Sequence, residues 1–175
     1  RNSSINCLKS SGIGDSNSKY SFVTGWMNPN TPACNTCPPK SIVFFDTEIG
    51  VNDKKIHDIG AVRADKGIFH SASVQDFCAF VSGTEYLCGH NIIHHDIKYL
   101  GEARENCISG KVIDTLYLSP LLFPKRPYHR LLKDDKLQVE ELNNPVNDSQ
   151  KAKDLFFDEV NAFYNLSPEK KKIFC

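Results

Sequence analysis

Ile42-Val43-Phe44-Phe45 runs directly into Asp46-Thr47-Glu48, with Ile49-Gly50 after it. Val, Ile and Phe favour a strand, and an apolar run without polar alternation suggests one buried on both faces. On a strand, residues i and i+2 point the same way. Asp46 and Glu48 therefore project together from the end of a buried strand. Neighbouring carboxylates repel each other, and burial raises the cost of each charge. A divalent cation offsets both penalties, because hard Mg²⁺ prefers carboxylate oxygens. For this stretch alone, two solvated acids opening a turn is the plainer reading.

The segments downstream set a context for that pair. Residues 56–63 alternate apolar and polar like a half-buried strand, and Ile68 to Val74 reads as a third strand after the turn Ala64-Asp65-Lys66-Gly67. Such short connections favour an antiparallel meander. Gln75 to Val81 reads as a helix and Tyr86 to Asn91 as a short strand with a polar tip. A helix over His95 to Arg104 would align Ile97, Leu100 and Ala103. Val112 to Thr115 is a further strand. Leu116 to Phe123 and His129 to Leu137 are short helices. A last helix from about Asp148 to Tyr164 places Ala152, Leu155, Phe156, Val160 and Phe163 at helical spacing. Strands followed by mixed helices and strands mean an α+β or α/β class with a mixed sheet.

Two more acids fall at element ends. Asp96 lies early in a helix, just after Gly89-His90-Asn91-Ile92-Ile93-His94-His95, and Asp148 opens the last helix, four residues before Ala152. Each by itself is an ordinary helix-start acid favoured by the dipole. Together with Asp46 and Glu48 they could surround two metal ions about 4 Å apart, an arrangement that activates water and stabilises a leaving oxygen.

In order and spacing these residues resemble the DEDD superfamily of 3′–5′ exonucleases over roughly residues 41–165. Phe44-Phe45-Asp46-Thr47-Glu48 is similar to the first motif of that group. Gly89-His90-Asn91 through Asp96 is similar to the second, with one residue more than the commonest spacing. Val112 to Leu116 and Tyr128 to Leu132 resemble the segments that follow, and Asn143 to Asp148 the third motif. The resemblance implies an α/β fold, a ribonuclease H-like mixed β-sheet flanked by helices. It implies two Mg²⁺ or Mn²⁺ ions on Asp46, Glu48, Asp96 and Asp148, and hydrolysis at nucleic-acid 3′ ends releasing nucleoside 5′-monophosphates. Thr47, Ile49, Gly50 and Val51 would lie near the terminal nucleotide, and His90 and Asn91 would contact the strand or cap the second motif. One position departs: where the histidine subtype carries its general base, five residues before the last Asp, this chain has Asn143. An amide cannot take up a proton near neutral pH, so a catalytically weak or inactive module that binds nucleic acid or a partner is the alternative.

Outside these motifs the chain is less specific. Lys plus Arg equals Asp plus Glu at 21 each, so nucleic-acid contact would need a local patch rather than a net basic charge. Residues 1–40 hold seven Ser and six Asn and read as a polar, loop-rich arm of net charge +3 ahead of a domain over 41–175. Cys34 and Cys37, with Cys7, could give three zinc ligands, but a fourth is missing. The seven scattered cysteines fit buried thiols in a reducing, cytoplasmic setting. In such a setting the sequons at Asn2, Asn147 and Asn165 are chance matches. No stretch approaches the roughly 20 apolar residues of a membrane span. The start, lacking an initiator Met, suggests a piece of a longer nucleic-acid enzyme such as a helicase or polymerase.

Overall fold

The computed structural model describes residues 42–108, 110–131 and 144–173. The first 40 residues, with Cys7, Cys34 and Cys37, lie outside these, as does Asn143. The described chain runs β1 (Ile42–Ile49), β2 (Ile56–Arg63), β3 (Ile68–Ser71), α1 (Val74–Val81), β4 (Tyr86–Gly89), α2 (Asp96–Tyr99), α3 (Ala103–Cys107), β5 (Lys111–Asp114), α4 (Thr115–Leu122), α5 (Pro145–Tyr164) and α6 (Pro168–Lys171). It is an α/β fold with one five-stranded mixed sheet of order β3-β2-β1-β4-β5. The meander β1–β2–β3 is antiparallel, whereas β4 and β5 join β1 in parallel. No helix among the described residues is long and apolar enough to cross a membrane.

The central place of β1 explains its unbroken apolar run. Val43 and Phe45 enter a core closed by Phe77 and Val81 of α1, Ile97 of α2 and Cys107 of α3. Ile42 and Phe44 enter a second core with Leu118 and Leu122 of α4 and Phe156 and Phe163 of α5. All four strand residues are fully buried. The Phe45 ring packs on Phe77 at 5.1 Å between centroids, and Phe44 packs on Phe156 at 5.6 Å. Strand alternation then continues past the apolar run. Thr47 follows Phe45 toward the α1–α3 side, and Asp46 and Glu48 follow Phe44 toward the α5 side.

α5 is seated on the sheet through its first turn. Asn144 is the N-cap, accepting from the Val146 N–H at 3.0 Å, and Pro145 occupies the first helical position. The buried Ser149 hydroxyl lies 2.8 Å from the Gly60 carbonyl and 2.6 Å from that of Pro145. Gly60 is the cross-strand partner of Asp46. A Cβ on Gly60 would stand 2.1 Å from the Val146 nitrogen and 2.2 Å from the Pro145 carbonyl carbon. Only a glycine lets the helix come this close beside Asp46.

Several expectations are corrected. The helix over 95–104 is two short helices, α2 and α3, because the chain turns at Gly101. No helix starts at His129: residues 129–131 are irregular, and 132–137 lie outside the described residues. The last helix begins at Pro145, three residues before Asp148, because Asn144 and Pro145 cap it. Cys78 and Cys107 are not free thiols. α1 and α3 pack on the same face of the sheet, which brings their Cα atoms to 4.4 Å, and a disulfide joins them. Cys88 is a free, buried thiol.

The contact at Gly60 makes a direct prediction. Gly60→Ala has no flexible side chain to push aside, only the backbone of α5. It should cost about 1–3 kcal/mol by overpacking, read as a lower urea midpoint. Unchanged stability would mean that α5 does not rest on β2 at this point.

Candidate metal centre

Asp46 and Glu48 reach the α5 side at the end of β1, where the first turn of α5 supplies Asp148. One carboxylate oxygen from each of the three lies within 4.8 Å of the others, and all three residues are half-buried. Lys151 Nζ stands 3.8 Å from Asp148 Oδ1, one turn along the helix. Asp58, the cross-strand partner of Glu48, is engaged by His70 Nε2 at 2.7 Å. Three converging carboxylates offer hard oxygen ligands, and their partial exposure leaves room for water in the remaining positions, as Mg²⁺ coordination requires. The group could hold a metal ion.

Asp96 is placed differently from these three. It is the first residue of α2 and is 1% exposed. Its Oδ1 accepts from the Thr47 N–H at 2.9 Å and from the Thr47 hydroxyl at 2.6 Å. Burial pushes its carboxyl above the usual range, opposed by the Thr47 bonds and by His95, whose Nδ1 is 3.6 Å from Oδ2. Thr47 is itself buried, so its side chain serves Asp96. The two acids on one side of β1 are thus linked through Thr47 to the acid on the other. Ile49 is half-buried, Gly50 is buried against Asp53 and His57, and Val51 is exposed.

The polar tip of β4 is held by a residue whose role was not apparent from sequence. Asp114, at the end of β5, accepts from the Asn91 N–H (2.7 Å), the Ile93 N–H (3.0 Å) and the Leu116 N–H (3.0 Å). Its pattern signal is that of an N-cap, an Asp just ahead of α4. The clamp keeps Asn91 at a φ of +66°, a conformation that Asn tolerates better than most residues. Gly89 lets this tip lie against β1, since a Cβ there would be 2.6 Å from the Phe45 carbonyl oxygen.

His90 is fixed by the same loop. Thr115 Oγ1 donates to the Gly89 carbonyl at 3.2 Å, so it must accept from His90 Nδ1–H at 2.8 Å. Neutral His90 then carries its free lone pair on Nε2, which is buried and has no hydrogen-bond partner among the described residues. Burial lowers its pKa, and the charges of Asp114 and Asp148 oppose that shift. The ring is a fixed neutral base within electrostatic reach of the acidic group.

No protein-family model, curated protein or solved structure matches the chain.

A further acid lies deeper on α5. Glu159 is fully buried, and neither carboxylate oxygen has a hydrogen-bond partner among the described residues. Burial pushes its pKa from 4.5 to about 9, against the attraction of Arg126 and with added repulsion from Asp114 and Asp158. It also raises the neighbouring Cys88 thiol, which burial has already pushed well above its ordinary value. At neutral pH Glu159 is therefore an uncharged acid. The sign of the linkage follows. Between pH 4.5 and about 9 the folded state keeps a proton that the unfolded state has released, so stability falls as pH rises through that window. Glu159→Gln should remove this component and leave the variant more stable than wild type at the alkaline end. Urea titrations across the window measure it, and parallel pH profiles would show that the carboxyl is ionised and solvated in the folded protein.

Proposed function

We propose that the chain is a metal-dependent 3′–5′ exonuclease domain of ribonuclease H-like fold, acting on phosphodiester bonds at nucleic-acid 3′ ends. The observation that carries this reading is the meeting of Asp46 and Glu48 from the central strand with Asp148 from α5. Those three acids, with Asp96, follow the order and spacing of the DEDD exonucleases. Bound Mg²⁺ or Mn²⁺ would supply a nucleophilic water at neutral pH and charge stabilisation for the leaving oxygen.

The residues divide the remaining work. Asp46, Glu48 and Asp148 would hold one ion. A second ion would draw on Asp96, whose Oδ1 is already oriented by Thr47. The Asp114 clamp fixes the His90–Ile93 backbone beside the acids. His90 Nε2 offers a neutral acceptor for a proton released near Asp148, in place of the histidine that Asn143 replaces. A non-catalytic module that binds nucleic acid is the second reading, favoured by Asn143 itself. A cytoplasmic setting is in tension with the Cys78–Cys107 bridge, since lasting disulfides are rare where thiols are kept reduced.

Two measurements test the proposal. Calorimetry with Mn²⁺ should show binding to the wild type and its loss in Asp46→Asn and Asp148→Asn. Intact binding in both variants would refute the site. On an oligonucleotide labelled at its 5′ end, the wild type should yield a ladder shortened from the 3′ end, and Asn143→His should raise the rate by about 10-fold or more if a histidine there meets the attacking water. Metal binding without any cleavage, even in Asn143→His, would favour the non-catalytic reading.

A further inference from the structure

α4 and the chain after it stand apart in composition. Residues 115–131 contain Lys125, Arg126 and Arg130 and no Asp or Glu, although the whole chain is neutral. The segment also carries its apolar groups outward. Tyr117 is 48% exposed, Leu121 58% and Tyr128 79%. Tyr117, Pro120 and Leu121 are spaced i, i+3, i+4 and share the outer face of α4. Lys125, Arg126, Tyr128 and Arg130 are all exposed in the irregular stretch that follows. The Arg126 guanidinium carbon stands over the Phe123 ring, 3.8 Å from its centroid, and Lys125 and Arg130 form no ion pair among the described residues. Exposed aromatic side chains set among exposed cations are the chemistry that binds single-stranded nucleic acid, where bases stack and phosphates pair.

The strip is joined to the acidic centre. Tyr117 OH is hydrogen-bonded to His94 Nε2, and the two rings are 5.8 Å apart. His94 closes the loop whose other end, His90, is held by Thr115 at the start of α4 and follows Gly89, which lies against the Phe45 carbonyl beside Asp46. A strand running over this loop would pass from a cationic, aromatic surface to the carboxylates.

We infer that Tyr117, Leu121 and Tyr128, with Lys125, Arg126 and Arg130, form a platform that stacks the unpaired bases of a single-stranded nucleic acid entering the Asp46–Glu48–Asp148 site. The ligand class rests on the nuclease reading. The surface itself rests on charge complementarity and exposure. Base stacking sets the side-chain requirement: Tyr117→Phe keeps the ring and loses only the bond to His94, whereas Tyr117→Ala loses both. The cations set a salt requirement of about 0.7 in the logarithmic slope per phosphate paired.

The test uses the full chain in Ca²⁺, with a fluorescein-labelled oligothymidylate for binding, and in Mn²⁺, with the p-nitrophenyl ester of thymidine 5′-phosphate for chemistry that needs no extended strand. Tyr117→Ala and Tyr128→Ala should each weaken oligothymidylate binding about fivefold or more, and Tyr128→Ala should do so with melting temperature and ester hydrolysis unchanged. Tyr117→Phe should bind like wild type. The Lys125→Ala/Arg130→Ala double variant should lower the salt slope by about 1.4. If wild type hydrolyses the ester but the tyrosine variants bind the oligothymidylate normally, the platform is overturned and the metal-site reading stands. If wild type leaves the ester intact while oligothymidylate binding depends on both tyrosines, the nuclease reading falls and the platform stands. Equal affinity for a blunt duplex, no binding by wild type, or capture of the face by a second copy of the chain would also overturn it.

Discussion

β1 is buried on both faces, and its alternation decides where every candidate group can go. Once Phe44 and Phe45 are committed to opposite cores, Asp46 and Glu48 must face α5 and Thr47 must face α2. A shift of one residue would send both carboxylates into the core lined by Phe77 and Ile97. That core is lined mainly by apolar side chains, so the register is enforced by the cost of burying carboxylates there as well as by packing. The helix that completes the acidic group depends on the same register, because it rests on Gly60, directly across from Asp46.

The buried acids are handled in three different ways. Asp114 is held by three backbone N–H donors. Asp96 has two donors, both from Thr47, and its pKa is raised by burial all the same. Glu159 has none and stays protonated. Asp46, Glu48 and Asp148 keep some contact with water, which limits their mutual repulsion. This gradient separates acids that hold the structure together from acids available to a ligand. Asp114 is committed to the loop it clamps, whereas Asp46, Glu48 and Asp148 converge at a half-exposed position.

Much of this was legible in the sequence. The apolar run, the i, i+2 acids and the turn at 64–67 sufficed for β1, β2 and the face on which Asp46 and Glu48 lie. The 3.6-residue stripe located α5, and its capping pair Asn144-Pro145 would have given the true start. Glu159 could have been found as well, since Ala152, Phe156, Glu159 and Phe163 follow one buried stripe. Its charge hid it, because an acid is normally read as a solvent position. The role of Asp114 was hidden for another reason. A single Asp before a helix predicts one cap bond, and only the parallel pairing of β4 with β5 brings two further N–H groups to it. The Cys78–Cys107 bridge joins residues 29 apart, and spacing alone does not pair them.

The neutral total charge of the chain conceals how it is distributed. Over a Debye length of about 10 Å, a ligand responds to the nearest groups rather than to the sum. The acids gather where β1, α2 and the start of α5 meet, and the acid-free stretch 115–131 carries three cations one loop away. For a polyanion the acidic group alone would be repulsive, and a bound divalent cation reverses that only locally. Under the proposed nuclease reading, a separate cationic surface beside it would let the backbone be held by one set of charges while the terminal phosphate meets the other. The two surfaces share the His90–His94 loop, pinned by Asp114 and Thr115 at one end and by Tyr117 at the other. Their relative placement is set by short-range hydrogen bonds of buried or half-buried side chains, His90 to Thr115 and the Asn91 N–H to Asp114, together with the Tyr117 hydroxyl on His94.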